Sequence, residues 1–353
     1  MSGKRPAPKS RRSSDLPLLR RAAIGLGSGA TTIAVLALVL LVAGLWLYKG
    51  PGPAAPHGAS TTVVLRQGAG ISEIASSLGA AGVIRSPAVF IAAAQVSRAA
   101  KRLKAGEYEF PTHASLASVI DKIRRGDIVH HMITIPEGLT SEQVVDILMA
   151  SPVLTGAAPV PAEGAVLPET YEVRRGEDRG AVLQRMMDAR DVLLRTLWAQ
   201  RKNGLPIDTP EQAVTLASIV EKETGLADER PHVASVFENR LRQHIRLGSD
   251  PTVTYGVDPG RPPAREPTKP ELASVTPYNT YQVDGLPPTP ICNPGRASLA
   301  AVLDAPDTSD LYFVADGSGG HAFASTKEAH DRNVQHWRAI AAKQHAQANT
   351  AGR

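Results

Sequence analysis

The sequence predicts an α+β protein: a single N-terminal transmembrane helix, then small α/β modules, then a helix-rich α+β domain. Three observations carry that prediction. Residues 22–48 form an uncharged stretch of 27 residues. Beyond it, short β-branched runs alternate with apolar stripes at helical spacing. From about Ala181 onward almost every periodic segment is helical.

The apolar stretch comes first. At ~1.5 Å per residue it exceeds the ~30 Å hydrocarbon core, and its densest part, Ile33–Leu47, is almost entirely aliphatic. A cleavable signal peptide has a shorter apolar region of ~7 to 15 residues, so the length favours a retained anchor over 22–48. Residues 1–49 hold eight basic side chains against Asp15 alone, and seven of the eight precede the span. The positive-inside rule then places the tail of residues 1–21 in the cytoplasm and the body outside. Trp46 and Tyr48 suit the outer interface.

The tail also accounts for the formal charge of +5, because the remaining 304 residues carry 31 basic and 33 acidic side chains. A body so balanced is not a basic nucleic-acid binder. The single cysteine, Cys292, excludes an internal disulfide framework and a cysteine-rich zinc site. Gly25, Gly27 and Gly29 lie inside the span with no strand before them, so they are not a dinucleotide fingerprint.

Residues 49–60 read as a Pro/Gly/Ala spacer. A first module follows over 61–130. It has a strand at Thr62–Leu65, a turn at Gln67-Gly68, and a helix with Ile71, Ile74, Ala75 and Leu78 on one face. Ser86-Pro87 starts a second helix as N-cap and first-turn proline. Glu107–Phe110 is the returning strand, and Leu116, Val119, Ile120 and Ile123 mark a further helix. An ungapped offset of 70 aligns Val63, Leu65, Gly68, Ile74, Ala75 and Leu78 with Ile133, Ile135, Gly138, Val144, Val145 and Leu148. This predicts a second small α/β module over 131–178, unless the echo is only shared strand-turn-helix grammar.

The third region spans 179–340, with a tail over 341–353. A helix begins near Ala181. Another starts at Thr209-Pro210-Glu211-Gln212, an N-cap, a first-turn proline and a capping-box Gln, and stops near Gly225. A third carries Val233, Val236, Phe237 and Leu241 on one face. Residues 259–294 hold ten of the 28 prolines and read as a functional loop.

Chemistry is concentrated in LASIVEKETG, residues 216–225. On a helical wheel Glu221 and Glu223 both fall inside the apolar arc, on opposite edges, while Thr215, Ser218 and Lys222 occupy the other side. A carboxyl on an apolar face loses hydration and is thereby suited to general acid catalysis. The wheel does not choose between the two.

At this point the sequence resembles the YceG-like endolytic murein transglycosylases, bacterial inner-membrane enzymes that cut peptidoglycan glycan strands. The matching stretches include LKAGEYEF (103–110), TIPEGLT (134–140), LASIVEKET (216–224), ASVFENRL (234–241), SDPTVTYG (249–256), TPYNTY (276–281), GLPPTPICNPG (285–295) and LYFVADGSGGHAF (311–323). The resemblance implies a LysM-like first module, a lytic reaction without water, 1,6-anhydro-MurNAc ends, no metal and no cofactor. Implied partners are glycan strands, the membrane through one helix, and peptidoglycan synthases, with the body in the periplasm and no nucleic acid. It assigns proton transfer to the first glutamate of the V-E-K-E-T motif, Glu221. Glu223, Asn239, Arg240, Asp250, Tyr278, Asn279, Thr280, Tyr281 and Asn293 become candidates for sugar binding, although Asn and Asp beside Pro and Gly also make turns. Arg240 is equally suited to pairing with Glu223. His321 and His330 lack the carboxylate-histidine clustering of a metal site.

Two other readings compete. A non-catalytic wall-binding scaffold would leave Glu221 dispensable. A pyridoxal-phosphate lyase needs a Schiff-base lysine and a phosphate cup, and Lys222 points to the polar side of its helix.

Overall fold

The computed structural model describes residues 16–351, so most of the basic tail, residues 1–15, lies outside the described residues. The chain divides into two compact units, residues 1–129 and 130–353. It is a mixed α+β protein whose described sheets are all two-stranded.

The first unit begins with α1 (Leu16–Lys49). Its stretch Thr31–Lys49 is long and apolar enough to cross a membrane, and Ile33, Leu36, Leu40 and Trp46 stand exposed along it. The unit continues as β1 (Ser60–Leu65), α2 (Ile71–Ala80), α3 (Pro87–Val96), β2 (Gly106–Pro111) and α4 (Leu116–Arg125). Strands β1 and β2 pair antiparallel with Val63 opposite Tyr108. The Ser86 cap falls where the sequence places it, its hydroxyl accepting from the Val89 N–H. Gly126 closes α4 in the left-handed conformation. The core comprises Val63, Leu65, Leu78, Phe90, Tyr108, Phe110 and Ile123, all buried. Each such large apolar side chain contributes about 1.5–3 kcal/mol on burial.

One expectation fails here. Residues 51–55 are not a loose spacer, because they run alongside the end of β2. The Gly52 N–H donates to the His113 carbonyl at 3.1 Å, the His113 N–H to the Pro53 carbonyl at 2.9 Å, and the Ala55 N–H to the Thr112 hydroxyl at 3.1 Å. Proline's lack of an N–H is no obstacle, since Pro53 contributes only its carbonyl.

The second unit opens with β3 (His131–Thr134) and α5 (Ser141–Ala150), followed by β4 (Leu154–Thr155), β5 (Thr170–Val173) and β6 (Glu177–Asp178). Strand β3 pairs antiparallel with β5. Helices α2 and α5 start 70 residues apart, and Gly68 and Gly138, at equivalent places before them, both have positive φ, 80° and 76°. A capping box at Thr140 and Gln143 starts α5.

Helices α6 (Arg179–Ala199), α7 (Pro210–Glu223), α8 (Arg230–Arg242) and α9 (Asp250–Val257) follow. Then come the short α10 (Lys269–Ala273), α11 (Arg296–Leu303), the antiparallel hairpin β7 (Tyr312–Ala315) and β8 (His321–Ala324), and α12 (Lys327–Ala351). The proline-rich loop thus contains one helical turn, opened by a Thr268–Glu271 capping box. The expected tail from residue 341 starts inside α12, where no Gly or Pro between Lys327 and Ala351 stops the helix. Helix α7 lies at the centre of this unit's largest core, packed by α8, α11 and α6.

Gly52 has no room for a side chain, since a Cβ would lie 2.1 Å from the Ala114 carbonyl oxygen. Gly52→Ala should cost about 1–3 kcal/mol. Hydrogen exchange should show faster exchange at Ala55 and His113, with α7 unchanged.

Candidate active site

Thr209 caps α7 by accepting from the Gln212 N–H at 3.2 Å, and Pro210 fills the first turn. Every residue from Ala213 to Val220 is buried. The polar side expected from the wheel is therefore covered. Ser218 is fully buried, donating to the Thr215 carbonyl at 2.7 Å and accepting from the Ile291 N–H at 3.0 Å. Chain segment 291–295 packs where solvent was expected, and one hydroxyl satisfies both elements. Lys222 is exposed, its Nζ 3.3 Å from the Gly138 carbonyl.

With the body of the helix enclosed, its two glutamates emerge in the last turn. Carboxylates are disfavoured there by the helix dipole, at about 0.3–1 kcal/mol each, and need local compensation. The two receive it differently.

Glu221 is engaged through both oxygens. Its Oε2 accepts from the Gly295 N–H at 2.9 Å and the Ser298 hydroxyl at 2.8 Å, where α11 begins. Its Oε1 lies 3.6 Å from the Arg230 guanidinium, which also sits 3.5 Å from Glu137. Only 5% of the Glu221 side chain is exposed. Burial, and then the Glu221 charge, push the Glu137 carboxyl above its ordinary range, while Arg230 pulls it back. Glu221 is thus a brace joining the end of α7 to the start of α11.

Glu223 is partly exposed, and one oxygen accepts from the Ser249 hydroxyl. Burial of the carboxyl pushes its pKa up to about 7 from 4.5. The Ser249 bond and the charges of His321 and Arg240 act downward, and Asp250 acts upward. A carboxyl that half-titrates near neutrality is matched to giving up a proton and recovering it.

Ser249 is itself fixed. It is buried, its N–H donates to the Thr280 hydroxyl at 2.9 Å, and Thr280 meets the Thr252 hydroxyl at 2.8 Å. Thr280 therefore holds the loop that holds Glu223. The Tyr281 hydroxyl donates to Asp250 at 2.8 Å, and burial, then this bond, push that phenol well above its usual range. Asp250 is exposed and Tyr281 is 38% exposed, so of the expected sugar-binding residues these two present polar surface beside Glu223. The Tyr278 hydroxyl meets Thr289 at 2.8 Å, and its ring packs edge-on against Tyr255.

Three other candidates are committed inside the protein. The Asn279 amide donates to the carbonyls of Glu271, Leu272 and Ser274, and its oxygen accepts from the Tyr281 N–H. Asn293 accepts from the Val166 N–H at 2.9 Å and donates to the Leu139 carbonyl at 3.1 Å. Asn239 donates to the carbonyls of Thr308 and Asp310. With Thr280, these side chains shape loops, as the turn alternative for Asn allowed. Arg240 makes no ion pair with Glu223 among the described residues. Its guanidinium donates to the carbonyls of Leu311 and Leu247 and lies 5.6 Å over the Tyr312 ring.

Sequence reasoning passed over Ser249, Ser298, Arg230 and Glu137. Ser249 directly precedes Asp250 inside a quoted motif, which was the available signal. Glu137 likewise lies inside a quoted motif, Arg230 follows the end of α7 by only seven residues, and Ser298 lies far along the chain from the helix it serves.

Residues 63–336 match the YceG-like family, and this chain belongs to it. The endolytic murein transglycosylase of Streptococcus pneumoniae serotype 2 (strain D39) is 26% identical over 321 residues, covering 77% of this chain and 57% of that protein. The Bacillus subtilis (strain 168) protein of the same name is 33% identical over 174 residues, covering 49% of this chain and 47% of its own length. The chain thus spans roughly half the length of these relatives. The crystal structure of a YceG-like protein from Listeria monocytogenes is 28% identical, with a TM-score of 0.49, covering 78% of this chain and 98% of that one.

The raised carboxyl has a consequence for stability. Between pH 4.5 and about 7 the folded protein keeps a proton on Glu223 that the unfolded chain has lost. That contribution is present below the unfolded pKa and is lost as pH rises through the folded one. Glu223→Gln does not titrate, so it should gain stability relative to the wild type between pH 5 and pH 8. Urea unfolding at the two pH values measures this.

Proposed function

We propose that the chain is a membrane-anchored lytic transglycosylase acting on peptidoglycan, with Glu223 as its proton donor. The observation that carries this reading is a carboxyl whose pKa burial pushes to about 7 and which has one hydrogen-bonded oxygen among the described residues, inside the residues that match the family. Relatives named endolytic murein transglycosylase support the substrate class.

The choice of glutamate departs from the expectation of Glu221. A proton donor needs an oxygen free to approach the leaving atom, and both Glu221 oxygens are engaged by Gly295, Ser298 and Arg230. Glu223 has a single hydrogen-bonded oxygen among the described residues. In the proposed reaction Glu223 protonates the glycosidic oxygen between MurNAc and GlcNAc as the C1–O bond breaks. The 6-hydroxyl of the same MurNAc attacks C1, closing a 1,6-anhydro ring, and holding the nucleophile on the reacting sugar supplies the proximity advantage. Asp250 and Tyr281 are placed to meet sugar hydroxyls. Cutting inside a strand limits its length, which fits work beside a peptidoglycan synthase.

The β–α–α–β order of the first unit supports a LysM-like role in holding glycan. The helix α1 supports an anchor in the bacterial inner membrane, and the basic tail supports a cytoplasmic N-terminus with the body in the periplasm.

Mass analysis of products from purified glycan strands tests the chemistry. Glu223→Gln should lower the formation of anhydro ends by ~10² to 10⁴-fold, the usual range for a general acid. Glu221→Gln should cost less, through loosening of the helix end, and the opposite ranking would return the acid's role to Glu221. For topology, protease added outside intact spheroplasts should digest residues 61–353; protection would invert the proposed orientation.

A further inference from the structure

The chemistry proposed above has two proton transfers. One proton goes to the leaving oxygen, and another leaves the attacking hydroxyl. A single carboxyl can do both only in sequence.

A second titratable group lies at the start of β8, which the end of α7 meets. His321 opens β8 immediately after Gly319-Gly320. Glu229, at the N-terminal edge of α8, clamps it twice: one oxygen accepts from the His321 backbone N–H at 2.9 Å, the other from Nδ1 at 2.7 Å. Gly320 makes this approach feasible, since a Cβ there would lie 2.5 Å from the Glu229 oxygen. The Phe313 ring packs edge-on against the imidazole at 5.3 Å. With Nδ1 donating to a carboxylate, the neutral ring carries its lone pair on Nε2. Nε2 has no partner among the described residues.

The location fits the reaction. Leu226, three residues beyond Glu223, lies 3.5 Å from the Cβ position of Gly320, so the end of α7 abuts the start of β8. His321 is also close enough that its charge, once the ring is protonated, acts on the Glu223 carboxyl.

We propose that His321 is a second catalytic group, the general base for the attacking hydroxyl, and that Glu229 is its positioning residue. The inference rests on the transglycosylase reading. In the step, the O6–C1 bond forms and the C1–O4 bond breaks. The O6 proton moves to Nε2 of His321, and the Glu223 proton moves to O4. The imidazolium then returns its proton to solvent, and the Glu223 carboxylate takes one back. The overall reaction is an intramolecular displacement at C1 within the glycan, with no net proton change.

Electrostatics favours the separation of roles. Transfer of the O6 proton to Nε2 and of the Glu223 proton to O4 leaves an imidazolium–carboxylate pair that attracts, with Glu229 stabilising the cation from behind. Glu229 holds this ring, and the His232–Asp310 pair lies beyond Phe323.

The test uses the full chain in detergent, purified glycan strands and mass analysis of anhydro ends. His321→Asn is the decisive variant, because its amide nitrogen can keep the bond to Glu229 but it cannot act as a base. It should fold, judged by thermal melting, and lose ~10² to 10⁴-fold in rate. His321→Ala should lose as much and be partly restored by added imidazole. Glu229→Gln should lose less, with the acid side of its pH–rate profile displaced. A folded His321→Asn that stays within about threefold of the wild type would overturn the proposal, because general base catalysis is worth far more. Loss without imidazole rescue and with an unchanged pH–rate profile would also overturn it, leaving His321 a structural residue. Absence of anhydro ends from the wild type would sink the parent reading as well.

Discussion

A helix covered on every side can present chemistry only at its ends, and the central helix of the second unit is built under that constraint. Residues 213–220 are buried without exception, including a serine and a threonine. The side chains able to meet a substrate must therefore come from the last turn, where the helix dipole opposes negative charge. Two carboxyls placed there need neighbours. One is given a full set of donors at the start of α11. The other keeps a single hydroxyl and is left under-solvated. The difference between the two glutamates, two residues apart, lies in what the rest of the chain brings to each.

This explains what was legible in the sequence. Local grammar was readable because its causes are local: Ser86-Pro87 and Thr209-Pro210 each cap a helix through bonds spanning a few residues. The offset of 70 was readable because hydrophobic spacing and the turn glycine recur together. The two glutamates were visible as a pair, yet symmetric on the wheel. Symmetry is broken by Ser249, 26 residues on, and by Gly295 and Ser298, more than 70 residues on. No pattern within the helix encodes those partners.

The asparagines show the same limit from the other side. Asn279 and Asn293 have the chemistry of sugar ligands, and both spend it on backbone carbonyls and N–H groups of irregular segments. A loop holding ten prolines in 36 residues has few amides free to form a ladder, so side chains close its turns. Type and motif alone do not distinguish an amide that binds from one that braces. Burial does.

The bonding of residues 51–55 to the edge of β2 changes what an anchor does. A flexible leash lets a domain sample a volume that grows with its length, and only the average position is set. Here the chain passes from α1 into ordered backbone within a few residues, so there is little leash to sample. With α1 in a bilayer, as proposed, the first unit would ride at a fixed height, and the anchor would serve as a ruler.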